Sequence, residues 1–288
     1  MGSIQALITR SLLRKSGIWN KPLDEIRETM TAIKGTGMPD GIKADKVSLG
    51  GVSCHVFRHT AGQARRTVLY FHGGGFCLGI YPANREFAAK LSQLLEADIY
   101  MPDYRLAPEH PFPAALKDAQ SAYQSLAQTE KLIVMGDSSG CALSLSALLM
   151  SKKNGVKMPD ALVMLTPVLD LEEKDERIAQ SVRKDPFLLA DPLGLTKHYT
   201  AGHDASTPAI SPMYGELNGL PPMLIHAAQY DVFLSDACRF TERAADAGVQ
   251  AELKIWNKLW HIFHMQSPFV PEAVKALGEI RAFVQKHA

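Results

Sequence analysis

Short apolar runs separated by amphipathic stretches set the pattern of this chain. Residues 67–71 (TVLYF), 131–135 (KLIVM), 222–228 (PMLIHAA) and 253–256 (LKIW) are rich in β-branched, aromatic and aliphatic side chains. Runs this short, bounded by turn residues, fit buried strands better than helices. Two longer stretches carry helical character: residues 141–150 (CALSLSALLM) read as a buried helix and residues 237–245 (ACRFTERAA) as a second helix. Strand and helix patterns in alternation predict an α/β fold whose mostly parallel sheet has helices on both faces. No internal repeat or low-complexity segment interrupts the pattern.

Two segments stand outside that alternation. Near the N-terminus Ile4, Leu7, Ile8 and Leu12 share one helical face, which predicts an amphipathic helix docked by that face. The first acidic residue is Asp24, after Arg10, Arg14, Lys15 and Lys21, a bias that also suits a transit peptide. The helical stripe, the lack of a secretory apolar region and Ala6 where a myristoylation motif needs Ser or Thr favour a cap helix. The second segment, residues 171–213, carries Glu172, Glu173, Lys174, Asp175, Glu176 and Arg177, then Pro186, Pro192, Pro208 and Pro212, with no clear strand. The division expected is a cap segment at residues 1–45, a core at 46–170 and 214–288, and a cap insertion at 171–213 that joins the N-terminal part over the site.

Composition narrows the function classes. With 288 residues and a net charge of +1, the chain is long enough for one large core and has no electrostatic case for nucleic acid or acidic membranes. Its apolar runs are too short and broken to span a bilayer. Cys54, Cys77, Cys141 and Cys238 show no CxxC spacing, so free thiols in a reducing, cytoplasmic setting are expected. The sequence does not decide between a monomer and a homodimer.

Chemistry enters through two glycine-bracketed segments. Gly136-Asp137-Ser138-Ser139-Gly140 follows one strand candidate and opens a helix, the setting a nucleophile elbow needs. His72-Gly73-Gly74-Gly75-Phe76 follows another, with the HGGG pattern that supplies oxyanion amides. Either alone has a bland reading, since a five-residue pattern arises by chance and a glycine triplet is usually a flexible turn. Two in order, each after a strand, point to acyl transfer, which needs no metal or cofactor and takes a small-molecule ester.

An acid and a histidine should follow downstream. Asp231 falls just past the strand candidate at 222–228, and His261 lies on a loop after the one at 253–256. Asp236 is a second candidate acid, although its place at the start of a helix suits a cap or dipole role. His264 is the decoy for His261. His226 is expected to be buried and hydrogen-bonded, His72 to brace its own loop, and His55 and His59 lack the neighbours of a metal site. Phe76, Phe233 and Trp260 flank the motifs where a substrate pocket would close.

HGGGF, residues 103–115 (DYRLAPEHPFPAA) and GDSSG together resemble the signature set of the bacterial hormone-sensitive lipase-like esterases, a branch of the α/β-hydrolases, over nearly all the chain from about Val47. The resemblance implies an α/β-hydrolase fold with a small helical cap, nucleophile Ser138, acid Asp231, base His261 and oxyanion amides from Gly74, Gly75 and Ser139. The usual elbow GDSAGG differs here at Ser139 and Cys141, and the usual DPLRD reads DVFLSD at 231–236, which keeps Asp236 in play. The activity implied is that of a serine carboxylesterase on short- to medium-chain acyl esters. A lipase or amidase is the neighbouring reading, and a non-catalytic receptor is the other class, because plant gibberellin receptors resemble this family with the histidine lost. In the proline-rich stretch, Asp103, Arg105 and Glu109 are expected to form an ion pair beneath the oxyanion loop.

Overall fold

The computed structural model describes residues 2–35, 37–60, 64–172, 184–187 and 194–288. Its strands are β1 (Ile42–Leu49), β2 (Val52–His59), β3 (Arg66–Phe71), β4 (Ala97–Pro102), β5 (Leu132–Asp137), β6 (Ala161–Leu165), β7 (Met223–Ala228) and β8 (Ala251–Trp256). They form one sheet in the order β1-β2-β4-β3-β5-β6-β7-β8, in which β2 alone runs against its neighbours. Among the described residues the helices are α1 (Ile4–Ser16), α2 (Leu23–Ala32), α3 (Pro82–Leu95), α4 (Ala114–Leu126), α5 (Ser139–Lys153), α6 (Gly194–Thr200), α7 (Leu234–Asp246) and α8 (Pro271–His287).

Period-two alternation explains the two cores. Leu69 and Phe71 of β3 and Val134 of β5 face one side, where they pack with Leu116 of α4, Leu143 of α5 and Phe240 of α7. Val68, Tyr70, Ile133 and Met135 face the other, against Phe87 and Leu91 of α3 and Ile280 and Phe283 of α8. Strands covered on both faces bury every residue, as β5, β6 and β7 do. The β1–β2 hairpin closes through Gly50 and Gly51, at φ 57° and 86°. Two successive left-handed residues match the twist of the flanking strands, and only glycine adopts them without cost.

The N-terminal stripe corrects the sequence reading. A helix forms there, capped by the Ser3 hydroxyl accepting from Ala6 N and ended by left-handed Gly17. However, Ile4, Leu7, Ile8 and Leu12 are 74%, 54%, 56% and 64% exposed. The helix docks by the opposite face: Ala6 is buried and Leu13 partly buried in a cluster with Trp260, Phe263, Val270 and Ala273. The small Ala6 permits a close approach to α8, and Ser3 fixes the rotation by donating from its amide (2.6 Å) and hydroxyl (2.8 Å) to Glu272.

The ion pair expected within 103–109 is also redistributed. Arg105 pairs with Asp118 on α4 at 2.7 Å, and Glu109 pairs with Arg27 on α2 at 2.6 Å. Asp103 makes its backbone bond to Ser53 on β2. β1 opens at Ile42, within the segment assigned to the N-terminal cap, since its ladder to β2 runs from Ile42↔His59 to Leu49↔Val52. Of the insertion, the described part holds residues 171–172 and 184–187, α6 and the stretch to Met213; its charged residues Glu173, Lys174, Asp175, Glu176 and Arg177, and Pro192, lie outside the described residues.

Candidate active site

Ser138 stands at the turn between β5 and α5 with φ 54° and ψ −125°, a left-handed backbone unusual for a non-glycine residue. The turn is tight enough to demand its glycines. A Cβ on Gly140 would sit 2.1 Å from Phe71 O, and one on Gly136 would sit 2.6 Å from Gly140 O. Backbone bonds from Ser138 N to Leu165 O and from Cys141 N and Val168 N to Ser138 O hold the strained residue in place.

Three side chains converge there from separate strand ends. His261 Nε2 lies 2.8 Å from Ser138 Oγ, and His261 Nδ1 lies 3.0 and 3.1 Å from the two oxygens of Asp231. Asp231 Oδ1 also accepts from Phe233 N at 2.9 Å, which fixes the carboxylate's orientation. Both His261 and Asp231 are buried. Burial alone disfavours the imidazolium, but the carboxylates of Asp231, then Asp185 and Asp137, outweigh it and hold the imidazole pKa above its ordinary value.

The other candidates are elsewhere. Asp236 points away from His261: its Oδ2 accepts from Leu169 N (2.9 Å) and Asp170 N (3.0 Å), pinning the loop after β6. It lies in the first turn of α7, although Phe233 is the N-cap residue. His264 is buried with its Nε2 3.1 Å from His226 Nδ1, so the two occupy each other beneath the site. His72 braces its loop as expected, with Nδ1 2.8 Å from Gly73 O and its ring stacked on Tyr104; burial lowers its pKa to about 4 and keeps it neutral.

Gly73, Gly74, Gly75, Ser138, Ser139 and His261 border one cavity of about 310 Å³. Of the three aromatics expected in its wall, Phe233 is present and two are displaced inward. Phe76 stacks on Tyr199 of α6 at 3.9 Å, and Trp260 is wholly buried in the cluster behind α1. The wall is built instead from Trp19, Leu23 and Ile26 near the N-terminus and from Phe187, Leu195 and His198 of the insertion. Both segments therefore meet across the site.

Four supporting residues escaped the sequence reading. Asp137 Oδ1 accepts from Gly73 N at 3.0 Å and from Tyr70, so the elbow's own carboxylate holds the HGGG loop. Arg27 reaches from α2 to Cys77 O (2.9 Å), Ala107 O (2.8 Å) and Glu109. Leu195 crowds the oxyanion segment so closely that a Cβ on Gly75 would lie 2.6 Å from its Cβ. Asp185 is fully buried and accepts from His261 N at 2.8 Å and Phe187 N at 2.8 Å. Burial, reinforced by the charge of Asp231, pushes its carboxyl pKa up to about 7. Partners this distant along the chain leave no local signal; for Asp185 and Arg27 none was available.

A pH dependence follows from these charges. A histidine acting as base must be neutral, so activity should be lost as pH falls through its raised pKa, giving a midpoint above the ~6.5 of a free imidazole. Because the Asp185 carboxyl titrates at about 7, it carries part of a negative charge near that midpoint; Asp185→Asn removes it and should move the midpoint toward acid. A kcat/KM profile of both proteins checks this, and a midpoint unchanged or raised in the variant refutes the electrostatic account.

Comparison with known proteins agrees with the fold. A family model described as alpha/beta hydrolase fold matches residues 68–265. An acetyl-hydrolase of Streptomyces hygroscopicus is 33% identical over 261 residues, covering 88% of this chain and 85% of that protein. A crystal structure of a hormone-sensitive lipase from a metagenome library superposes with a TM-score of 0.91 at 35% identity, covering 100% of this chain and 99% of that one. EstE5, in crystals soaked with p-nitrophenyl butyrate, superposes with a TM-score of 0.91 at 30% identity over 99% of both chains.

Proposed function

The chain belongs to the alpha/beta hydrolase family, in its hormone-sensitive lipase-like branch, and is a serine esterase; from that premise we propose that it cleaves short- to medium-chain acyl esters with Ser138, His261 and Asp231. The observation that carries the assignment is the continuous hydrogen-bonded line from Asp231 through His261 to Ser138 at the floor of one cavity. Neutral His261 takes the hydroxyl proton at Nε2 as Ser138 Oγ attacks the ester carbonyl. Asp231 accepts from Nδ1–H, so the correct tautomer is held and the imidazolium that forms is stabilised. The proton then passes from Nε2 to the departing alcohol, leaving an acyl-Ser138 ester. A water molecule activated by the same histidine releases the acid and restores the hydroxyl.

The amides of Gly74, Gly75 and Ser139 are the proposed receivers of the tetrahedral oxyanion. They border the cavity beside Ser138, where a preorganised donor is worth about 3 kcal/mol each. The α1–α2 segment and the 171–213 insertion are the proposed cap, because each contributes to the cavity wall. A receptor would need the histidine to be missing, and His261 is in place. Four cysteines outside any disulfide, three of them buried, support a cytoplasmic location.

The cavity volume supports the acyl limit. About 310 Å³ is near the small end of ligand sites, which run from ~300 to ~1,000 Å³. Burying two methylenes is worth about 1.6 kcal/mol, or about tenfold in kcat/KM, and methylenes beyond the cavity's capacity forgo that gain. In a p-nitrophenyl series kcat/KM should therefore stop rising once the cavity is filled, with the laurate gaining nothing over the medium-chain esters. Faster turnover of emulsified long-chain triglyceride than of the butyrate would identify a lipase instead.

A further inference from the structure

The outward face of α1 has no role in the chemistry above. Ile4, Leu7, Ile8 and Leu12 are more than half exposed while the helix docks by Ala6 and Leu13. Helix geometry places these four aliphatics on one side over about two and a half turns, with Lys15 continuing the same face and Arg14 flanking it. Contiguous exposed apolar patches larger than a few hundred Å² are rare on soluble monomers and mark interaction surfaces. The roll of the helix is held by Ser3 on Glu272, so turning the stripe inward would break both of those hydrogen bonds.

Charge selects the partner. Arg14 and Lys15 are exposed at the C-terminal end of α1, and exposed Lys258 stands at its N-terminal end, where its Cβ lies 3.3 Å from a Cβ position on Gly2. No acidic residue occurs before Asp24. Among the described residues, the carboxylate bonded at this helix end is Glu272, and it is occupied by Ser3. A net charge of +1 for the whole chain conceals this local excess. An apolar stripe with cations at its ends matches a lipid surface bearing anionic headgroups, in which aliphatic side chains enter the acyl boundary and lysine stems reach back to the phosphates.

We propose that α1 is a docking helix that seats the enzyme reversibly on anionic lipid surfaces. Trp19, Asn20, Lys21, Leu23 and Ile26, which follow α1 directly, border the catalytic cavity, so docking would hold the cavity's rim beside the lipid. Binding of this kind gains from buried apolar area and from about one kcal/mol-scale attraction per cation, equivalent to roughly fivefold in affinity for each.

The test uses full-length Ser138→Ala protein, so that binding is read without hydrolysis and apart from the catalytic assignment. Flotation with vesicles of equimolar phosphatidylglycerol and phosphatidylcholine should carry the protein upward, and pure phosphatidylcholine should carry at least about tenfold less. Leu7→Asp/Ile8→Asp should lower binding by tenfold or more, and Arg14→Gln/Lys15→Gln by on the order of tenfold, with melting temperature unchanged. In the Ser138-containing enzyme, the same substitutions should leave kcat/KM on soluble p-nitrophenyl butyrate unaltered. No flotation with anionic vesicles, or flotation indifferent to these substitutions, overturns the proposal. A dimer in solution that dissociates on Leu7→Asp/Ile8→Asp, without lipid binding, also overturns it by assigning the face to a second copy of the chain.

Discussion

Ser138→Ala should abolish ester hydrolysis and covalent labelling by a fluorophosphonate while the protein stays folded. Removing the nucleophile of a serine hydrolase lowers kcat by on the order of 10⁶, because the acyl-enzyme can no longer form and the remaining oxyanion donors act only on water attack. The structure predicts little cost in stability. The hydroxyl's contact is the 2.8 Å bond to His261, the strained φ of 54° is equally open to alanine, and backbone bonds to Leu165, Cys141 and Val168 persist. Intact-mass analysis after labelling, with thermal unfolding alongside, checks both halves. A retained adduct on Ser139 would move the nucleophile by one residue and dismantle the elbow assignment.

What the sequence reveals and what it hides follow from how far each signal reaches. The strand runs at 67–71, 131–135, 222–228 and 253–256 correspond to β3, β5, β7 and β8 within a few residues, because their patterns are local. The elbow and HGGG glycines are legible for the same reason: backbone atoms at 2.1–2.6 Å from a would-be Cβ exclude any other residue at Gly136 and Gly140. The periodicity of residues 4–12 correctly signals a helix, but a helical wheel cannot tell which side a protein will use. Here Ala6 and the Ser3–Glu272 bonds decide the roll against the larger aliphatics. Phe76 and Trp260 are misread as pocket wall because adjacency to a motif in sequence says nothing of side-chain direction. Asp185 and Arg27 act through partners 76 and 82 residues away.

Separating Asp231 from Asp236 is the sharper trial of the site, because both are buried acids in one short segment. Asp231→Asn should lower kcat by on the order of 10⁴ with little change in melting temperature. The amide oxygen can keep the 2.9 Å bond from Phe233 N, which turns the amide nitrogen toward His261 Nδ1. That donor requires Nδ1 to be an acceptor, so the proton moves to Nε2 and the histidine can no longer take one from Ser138. Asp236→Ala has the opposite signature. It strips the acceptor from Leu169 N and Asp170 N, and each buried amide left unpaired costs about 1–3 kcal/mol. A drop of several degrees in melting temperature is expected. Activity should stay within about tenfold of the parent, since Val168 is the residue of that loop that borders the cavity among the described residues, and a factor of ten corresponds to ~1.4 kcal/mol of barrier. Steady-state kinetics and thermal unfolding on both variants decide the matter: inactivity of Asp236→Ala in a folded protein, beside an active Asp231→Asn, would reverse the roles and detach His261 from the carboxylate it touches.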